Sequence, residues 1–400
     1  MQIKNYLARV LGHGTAGLAL LAGAMSAQAI VHSVYEGESI QAAIDAASPG
    51  DTILVEPGTY QEAADALYGL RIATDNLRLI AKARNRAGEE GKVRILHNGD
   101  QETGIYAAPA GCEYRDRECD SQITDFYLRG FSVEGFPVNG IQTRWVDGFK
   151  FVQNESINNL NNGIYPTLSA NGLVKDNVSY GSLDTSMWIA GSENVRVVGN
   201  DLSGSPIGFE ITVSNNVNVE GNIIHNNTVG VGLFHPNAAG NPPMDTMENW
   251  IIHKNAIFDN NLPNPAPAGT FQAGLPPGYG VLLLGVSDHR IMRNWVIGND
   301  GAGIAVLDWC TAVGLADDRR NCANRPPIRD PSVNNVRVAR NYLKENGQSP
   351  PPLGIPGVDL LYVHLEGEST GNCFRFNDPS SLSTLSLNLL GDPDLPTDGC

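Results

Sequence analysis

Residues 163–222 decide the fold: GIYPTLSANGLVKDN (163–177), VSYGSLDTSMWIAGSENVRVVGN (178–200) and DLSGSPIGFEITVSNNVNVEGN (201–222) are versions of one phrase, each closing on an asparagine. Asn177, Asn200 and Asn222 recur at intervals of 23 and 22 residues. A repeat that short cannot enclose a core of its own, so neighbouring copies must stack. Each copy holds an opening apolar run (164–167, 187–190, 209–212), a second run ahead of the asparagine and an apolar pair after it, with turn residues between. Three short strands in each such unit make one rung of a parallel β-helix. The expected fold is therefore all-β: a single-stranded right-handed parallel β-helix of roughly ten rungs.

Working outward, the same asparagine recurs as Asn154, Asn255, Asn294 and Asn341. Asparagine suits such a turn because it tolerates a left-handed backbone and because stacked amides can hydrogen-bond from rung to rung. Asn154 and Asn177 also begin Asn-x-Ser sequons, but ladder positions should be buried, which argues against glycosylation there. The spacing widens to 33, 39 and 47 residues after Asn222, which places insertions at 235–248, 261–278 and 310–332. Long ordered loops over a rigid scaffold are where binding usually resides. Upstream, Ile40, Ala43, Ile44 and Ala47 keep helical spacing behind Ser39 as N-cap, with Pro49-Gly50 as the stop. A short helix there would plug the open end of the solenoid.

Residues 1–29 read as a secretory signal: Lys4 and Arg9, an apolar stretch from Gly17 to Gly23, and Ala27-Gln28-Ala29 as cleavage site. The expected organisation is signal peptide 1–29, β-helix 30–365 and a C-terminal capping tail 366–400, rich in leucine at 382, 385, 387, 389 and 390. Without its leader the chain carries a formal charge of −18 instead of −16. That balance argues against nucleic acid as a partner, and the leader's apolar stretch is too short to span a membrane. An exported protein, periplasmic or secreted, is the expectation. Six cysteines allow fifteen pairings. Proximity along the chain favours Cys112 with Cys119, Cys310 with Cys322, and Cys373 with Cys400 as disulfides. No Cys-x-x-Cys pair suggests zinc, and no two histidines stand at ligand spacing, so no metal site is assigned.

Strand alternation sorts the rungs into faces. Counting back from each asparagine, the third and fifth positions are apolar and point inward, as Val195 with Val197 and Val217 with Val219 do. The fourth points outward and reads Lys150, Leu173, Arg196, Asn218, Ile251, Arg290 and Arg337, with Arg78 in the same column. The residue before the asparagine adds Lys254, Arg293 and Arg340. Exposed strand positions often carry cations for solubility, but a row of them on an acidic protein also suits a chain of carboxylated sugars. Read that way, Arg290, Arg293 and Arg340 neutralise uronate carboxylates and Lys254 is the catalytic base. No cofactor is specified, and calcium is the ion such a uronate site would use. The outward positions of the opening strands give Tyr165, Trp188, Glu210, Phe234, Leu282, Leu284, Leu307, Asp359 and Leu361. Either the insertions cover this apolar stripe, or Tyr165 and Trp188 are stacking platforms for sugar rings with Glu210 and Asp308 as polar partners. Glu210 shows no obvious acidic neighbour, so two-carboxylate hydrolysis is poorly supported.

Gly-Ile-Tyr-Pro (163–166), Ser-x-Asn-Val (192–195 and 214–217), Asp-Asn-Asn-Leu-Pro-Asn-Pro-Ala-Pro (259–267) and Gly-Leu-Pro-Pro-Gly (274–278) resemble a bacterial family of exported parallel β-helix repeat proteins. The resemblance covers residues 35–365 and implies a fold and a location, with no catalytic residues to carry over. More widely the rungs are similar to those of pectate-lyase-like and alginate-epimerase-like enzymes. The Gly-His-Gly of polygalacturonase-like hydrolases occurs only at 12–14, within the leader, and the Asp-Pro-His-Asp of the epimerases is missing. Its nearest relic, Asp288-His289-Arg290, reads as an ordinary turn and strand start. Two functions are expected from the residues: binding or processing of an extracellular, acidic polysaccharide, by β-elimination or epimerisation ahead of hydrolysis, or a non-catalytic scaffold that holds a protein partner on the apolar stripe.

Overall fold

A computed structural model describes residues 28–400 except 114–115, 239–243, 245, 317–321, 366–368, 380–382, 389–393 and 398–399. The leader, apart from residues 28–29, and Leu382, Leu389 and Leu390 of the tail therefore lie outside the described residues. The chain coils through three parallel sheets, here called A, B and C, of 12, 10 and 11 strands. Each rung contributes one strand to each sheet in the order C, A, B, as in Ile207–Thr212, Asn215–Glu220 and Ile223–His225.

The inward valines stack in register: Val195 sits on Val217, and Val197 on Val219. Ile252, Ile291, Val338 and Phe374 continue the second of these columns through the later rungs. These side chains form one continuous apolar core down the coil. Burial of this kind supplies the stabilisation that no single rung could.

The asparagine ladder runs without a break. Asn222 receives both the main-chain N–H and the amide N–H of Asn200 on its Oδ1, at 2.9 and 2.8 Å, and donates its own amide to Asn255 at 2.9 Å. The left-handed residue of this turn is not the asparagine but the one before it, as Asp176 (φ 53°), Gly199 (φ 68°) and Gly221 (φ 66°) show. The ladder amides are selected for hydrogen bonding across rungs, and not for backbone tolerance. A second ladder follows five residues later: Asn227, Asn260, Asn299 and Asn346 bond in sequence in the same manner. Asn154 and Asn177 are buried, as a ladder position requires.

Helix α1 (Ile40–Ala46) closes the N-terminal end, with the Ser39 hydroxyl accepting from Ala42 N–H and Ile40 and Ile44 entering the core. At the other end the coil continues past residue 365: Cys373–Arg375 joins sheet A and Thr384–Asn388 joins sheet C. The three disulfides are Cys112–Cys119, Cys310–Cys322 and Cys373–Cys400. No helix among the described residues is long and apolar enough to cross a membrane.

Candidate functional site

The two faces marked by the sequence lie on different sheets. The basic column belongs to sheet A, where Arg290 pairs in register with Ile251 and Arg337. Tyr165, Trp188 and Glu210 belong to sheet C. The expected catalytic cations and the expected sugar platforms therefore do not form one groove.

Lys254, expected as the base, donates to Glu220 Oε1 at 2.6 Å, and that bond holds the Glu220 carboxyl below its usual range. It is an ion-paired surface residue, and it shares the left-handed turn position (φ 56°) with Arg293 (φ 57°) and Arg340 (φ 59°) of later rungs. Those two and Arg290 are exposed, and Arg290 donates to Asn249 Oδ1 at 3.2 Å. Asp308 is likewise engaged within the protein. Buried at the start of helix α2 (Trp309–Ala316), its carboxylate accepts from Thr311 N–H (2.7 Å), Thr311 Oγ1 (2.6 Å) and Leu365 N–H (3.0 Å), the work of an N-cap. His289 lies in the interior, stacked 4.1 Å from Trp250, and burial lowers its pKa to about 3.

Sheet C divides into two halves along its outer face. In the apolar half, Leu282, Leu284 and Leu307 are covered by the second and third insertions, with Phe271, Leu275 and Trp309 packed on them. The second and third insertions thus cover the stripe. In the other half one outward column reads Arg71, Tyr106, Gln142, Tyr165, then Trp188 and Glu210. Beside it run Tyr68 with Thr103, and Asn162 with Thr185. Tyr68 and Tyr106 stack at 4.2 Å under the guanidinium of Arg71, whose Nη2 donates to Pro109 O in the first disulfide loop. Tyr165 and Trp188, both half-buried, stack at 4.6 Å, and the Trp188 indole donates to Thr212 Oγ1. They make one aromatic ladder and not two separate platforms.

At the end of this strip stands a carboxyl pair that the sequence reading missed. Glu210, only 2% exposed, accepts from Thr185 Oγ1 at 2.9 Å, and the same hydroxyl lies 3.1 Å from Asp184 Oδ1. The two carboxyl oxygens are thus within about 6 Å of one another. Asp184 also bonds to the side chain of Gln272, which the second insertion brings over the sheet. Burial pushes the Asp184 carboxyl up to about 6. Burial pushes Glu210 well above the carboxylate range, and the charge of Asp184 pushes it further. Two carboxyl groups sharing one hydroxyl in a low-dielectric site hold a proton at neutral pH. The expectation that Glu210 has no acidic neighbour is corrected: Asp184 comes from the turn before the preceding strand of the sheet, 26 residues earlier in the chain.

Among the described residues no group of three or more His, Cys, Asp or Glu side chains could hold a metal ion.

Residues 139–318, a little under half of the chain, match the family model for the right handed beta helix region. Together with the three-sheet coil, that match gives the chain the fold of a right-handed parallel β-helix. No curated protein matches it by sequence. The A-module of Azotobacter vinelandii mannuronan C-5 epimerase AlgE4 superposes with a TM-score of 0.53 at 14% identity, covering 88% of this chain and 96% of that one. The DFA-IIIase of Arthrobacter chlorophenolicus A6 in complex with DFA-III gives 0.53 at 12% identity, over 92% and 86% of the two chains. Pectate lyase Pel9A aligns at a TM-score of 0.44 and 15% identity, over 89% and 80%. At such identities the likeness is one of fold.

Proposed function

We propose that this protein binds an extracellular polysaccharide at the half-buried Tyr165–Trp188 stack of sheet C and cleaves a glycosidic bond at the neighbouring Asp184–Glu210 pair. The observation that carries the proposal is the coupled, buried carboxyl pair at the end of the Tyr165–Trp188 stack. The carboxyl kept protonated near neutral pH gives its proton to the departing sugar oxygen while the ionised partner, within about 6 Å, attacks the anomeric carbon; water then hydrolyses the glycosyl ester and returns the proton to the acid. Aromatic faces pack against sugar rings, and a sugar hydroxyl takes the place of the Gln272 amide at Asp184. The mannuronan epimerase that shares this coil is named for a polysaccharide substrate, which supports a saccharide ligand. The leader and the disulfides support export.

Cleavage is favoured at this pair over β-elimination or epimerisation. Both of those need a cation or metal ion to neutralise a uronate carboxylate. The strands around the pair, Thr185–Ala190, Ile207–Thr212 and Val229–Phe234, contain no lysine or arginine. Uronan lyase or epimerase chemistry would have to use the basic column of sheet A, and a protein-binding scaffold would need neither site.

The test is incubation of the leaderless protein with neutral polymers (inulin, xylan) and with uronans (alginate, pectate, glucuronan), the latter with and without calcium. Reducing ends and unsaturated-uronate absorbance are both followed. New reducing ends that vanish in Glu210→Gln and Asp184→Asn support the proposal. Turnover retained by both folded variants overturns it. Absorbance lost only on alanine substitution of Arg290, Arg293 and Arg340 moves the chemistry to sheet A, and silence on every polymer leaves the scaffold.

A further inference from the structure

Between the apolar half of sheet C and the two insertions that cover it lies a cavity of about 420 Å³. Its floor is Leu282, Leu284 and Leu307, and its walls are Phe271 and Leu275 from the second insertion and Val313 from helix α2. None of the described residues that line it is charged. Leu315, 41% exposed, stands at the rim. Close-packed interiors leave few spaces larger than a water molecule, whereas small-molecule pockets begin near 300 Å³.

The walls are fixed, so the space is preformed. Asp308 caps α2 and the Cys310–Cys322 disulfide ties its first turn to the following loop. Trp309 stacks with Phe271 at 5.9 Å and with His235 at 5.2 Å, joining the third insertion to the second and to the first. A polar ligand finds no hydrogen-bonding side chain on this floor, whereas a hydrocarbon needs none and buries its surface against the leucines.

We propose that this cavity is a binding site for a single unbranched hydrocarbon chain, acyl or alkyl. The chain can arrive on a free fatty acid or attached to a saccharide, and the geometry gives the second source a path. Phe271 and Ala273 line the cavity, while Gln272 between them bonds to Asp184. Leu282 stands two strands from Glu210 in the same column, about 10 Å at the strand spacing. The chain site itself does not depend on the cleavage proposed above. Only its use by a saccharide does.

The probe is 11-(dansylamino)undecanoic acid, titrated into the leaderless protein and followed by fluorescence, with lauric acid, dodecyl maltoside and maltose as competitors. Saturable binding at one site per chain, displaced by either dodecyl compound and not by maltose, is expected. Tighter displacement by dodecyl maltoside than by laurate assigns the chain to a saccharide, and the reverse order assigns it to a fatty acid. Ala312→Phe and Leu307→Phe, which fill the cavity from opposite sides, should each weaken the probe at least about ten-fold, while Trp188→Ala on the sugar strip leaves it unchanged. Absence of saturable binding in the unmodified protein overturns the proposal whether or not the variants fold. So does unchanged binding in both variants when their circular dichroism and melting match the parent.

Discussion

Replacing Glu210 by glutamine keeps the shape of the side chain and removes one of two carboxyl groups from a buried site. Both Asp184 and Glu210 have folded-state pKa values raised above 3.8 and 4.5, their ordinary values. Between those values and the raised ones the folded protein binds more protons than the unfolded chain. Stability is therefore lost as pH rises through that window, which for Asp184 runs from about 4 to about 6 and for Glu210 extends higher. A shift of about two pKa units corresponds to roughly 3 kcal/mol for Asp184 at ~1.36 kcal/mol per unit, an order of magnitude only. With ~2.1 cal/mol/K of unfolding entropy per residue over roughly 370 residues, 3 kcal/mol moves the melting temperature by about 4 °C. The measurement is Tm by circular dichroism from pH 4 to pH 8 for the parent, Glu210→Gln, and the double variant Asp184→Asn with Glu210→Gln. Midpoints are compared because a solenoid need not unfold in two states. Relative to the double variant, the parent should lose about 4 °C or more on going from pH 4 to pH 7, with Glu210→Gln between them. Parallel curves for all three proteins would show that the carboxyl pair is not held protonated, and the acid–base role would fall with it.

Asn222→Ala leaves the main-chain N–H of Asn200 without its acceptor and breaks the amide contact to Asn255; at ~1–3 kcal/mol per buried polar group, about 3 kcal/mol of stability should go, read as a Tm drop at every pH. Lys254→Ala removes an ion pair whose members are both partly solvated, and should cost no more than about 1 kcal/mol and leave turnover on any accepted polymer unchanged. Trp188→Ala should weaken saccharide binding about ten-fold by calorimetry, for the loss of roughly 1–1.5 kcal/mol of aromatic stacking, while the pH dependence of Tm is retained.

Much of the coil is legible in the chain because a rung is a local object. Asn177, Asn200 and Asn222 mark the turns, Val195 and Val217 mark the inward positions, and Ser39 marks the start of the capping helix. The second ladder was equally legible, since Asn227, Asn260, Asn299 and Asn346 each follow a first-ladder asparagine by five residues. Asp184 could also have been found: it directly precedes Thr185, whose partner in register, Ile207, stands three residues before Glu210. Columns counted from the asparagine turn separate the two acids, whereas the register of the opening strands brings them together.

Sequence by itself determined the repeat, the inward and outward faces and the places of the three insertions. All follow from a side-chain period of two and a rung length near 22, which are properties of the backbone. Where each insertion folds back, and on what, only the tertiary structure decided. It laid two of them over Leu282, Leu284 and Leu307, turned Asp308 from a candidate sugar ligand into a helix cap, and brought Gln272 to Asp184. The physical reason is that a loop has no period. Its position is fixed by the apolar surface it can bury and the polar groups it must satisfy, and both lie on rungs distant in the chain.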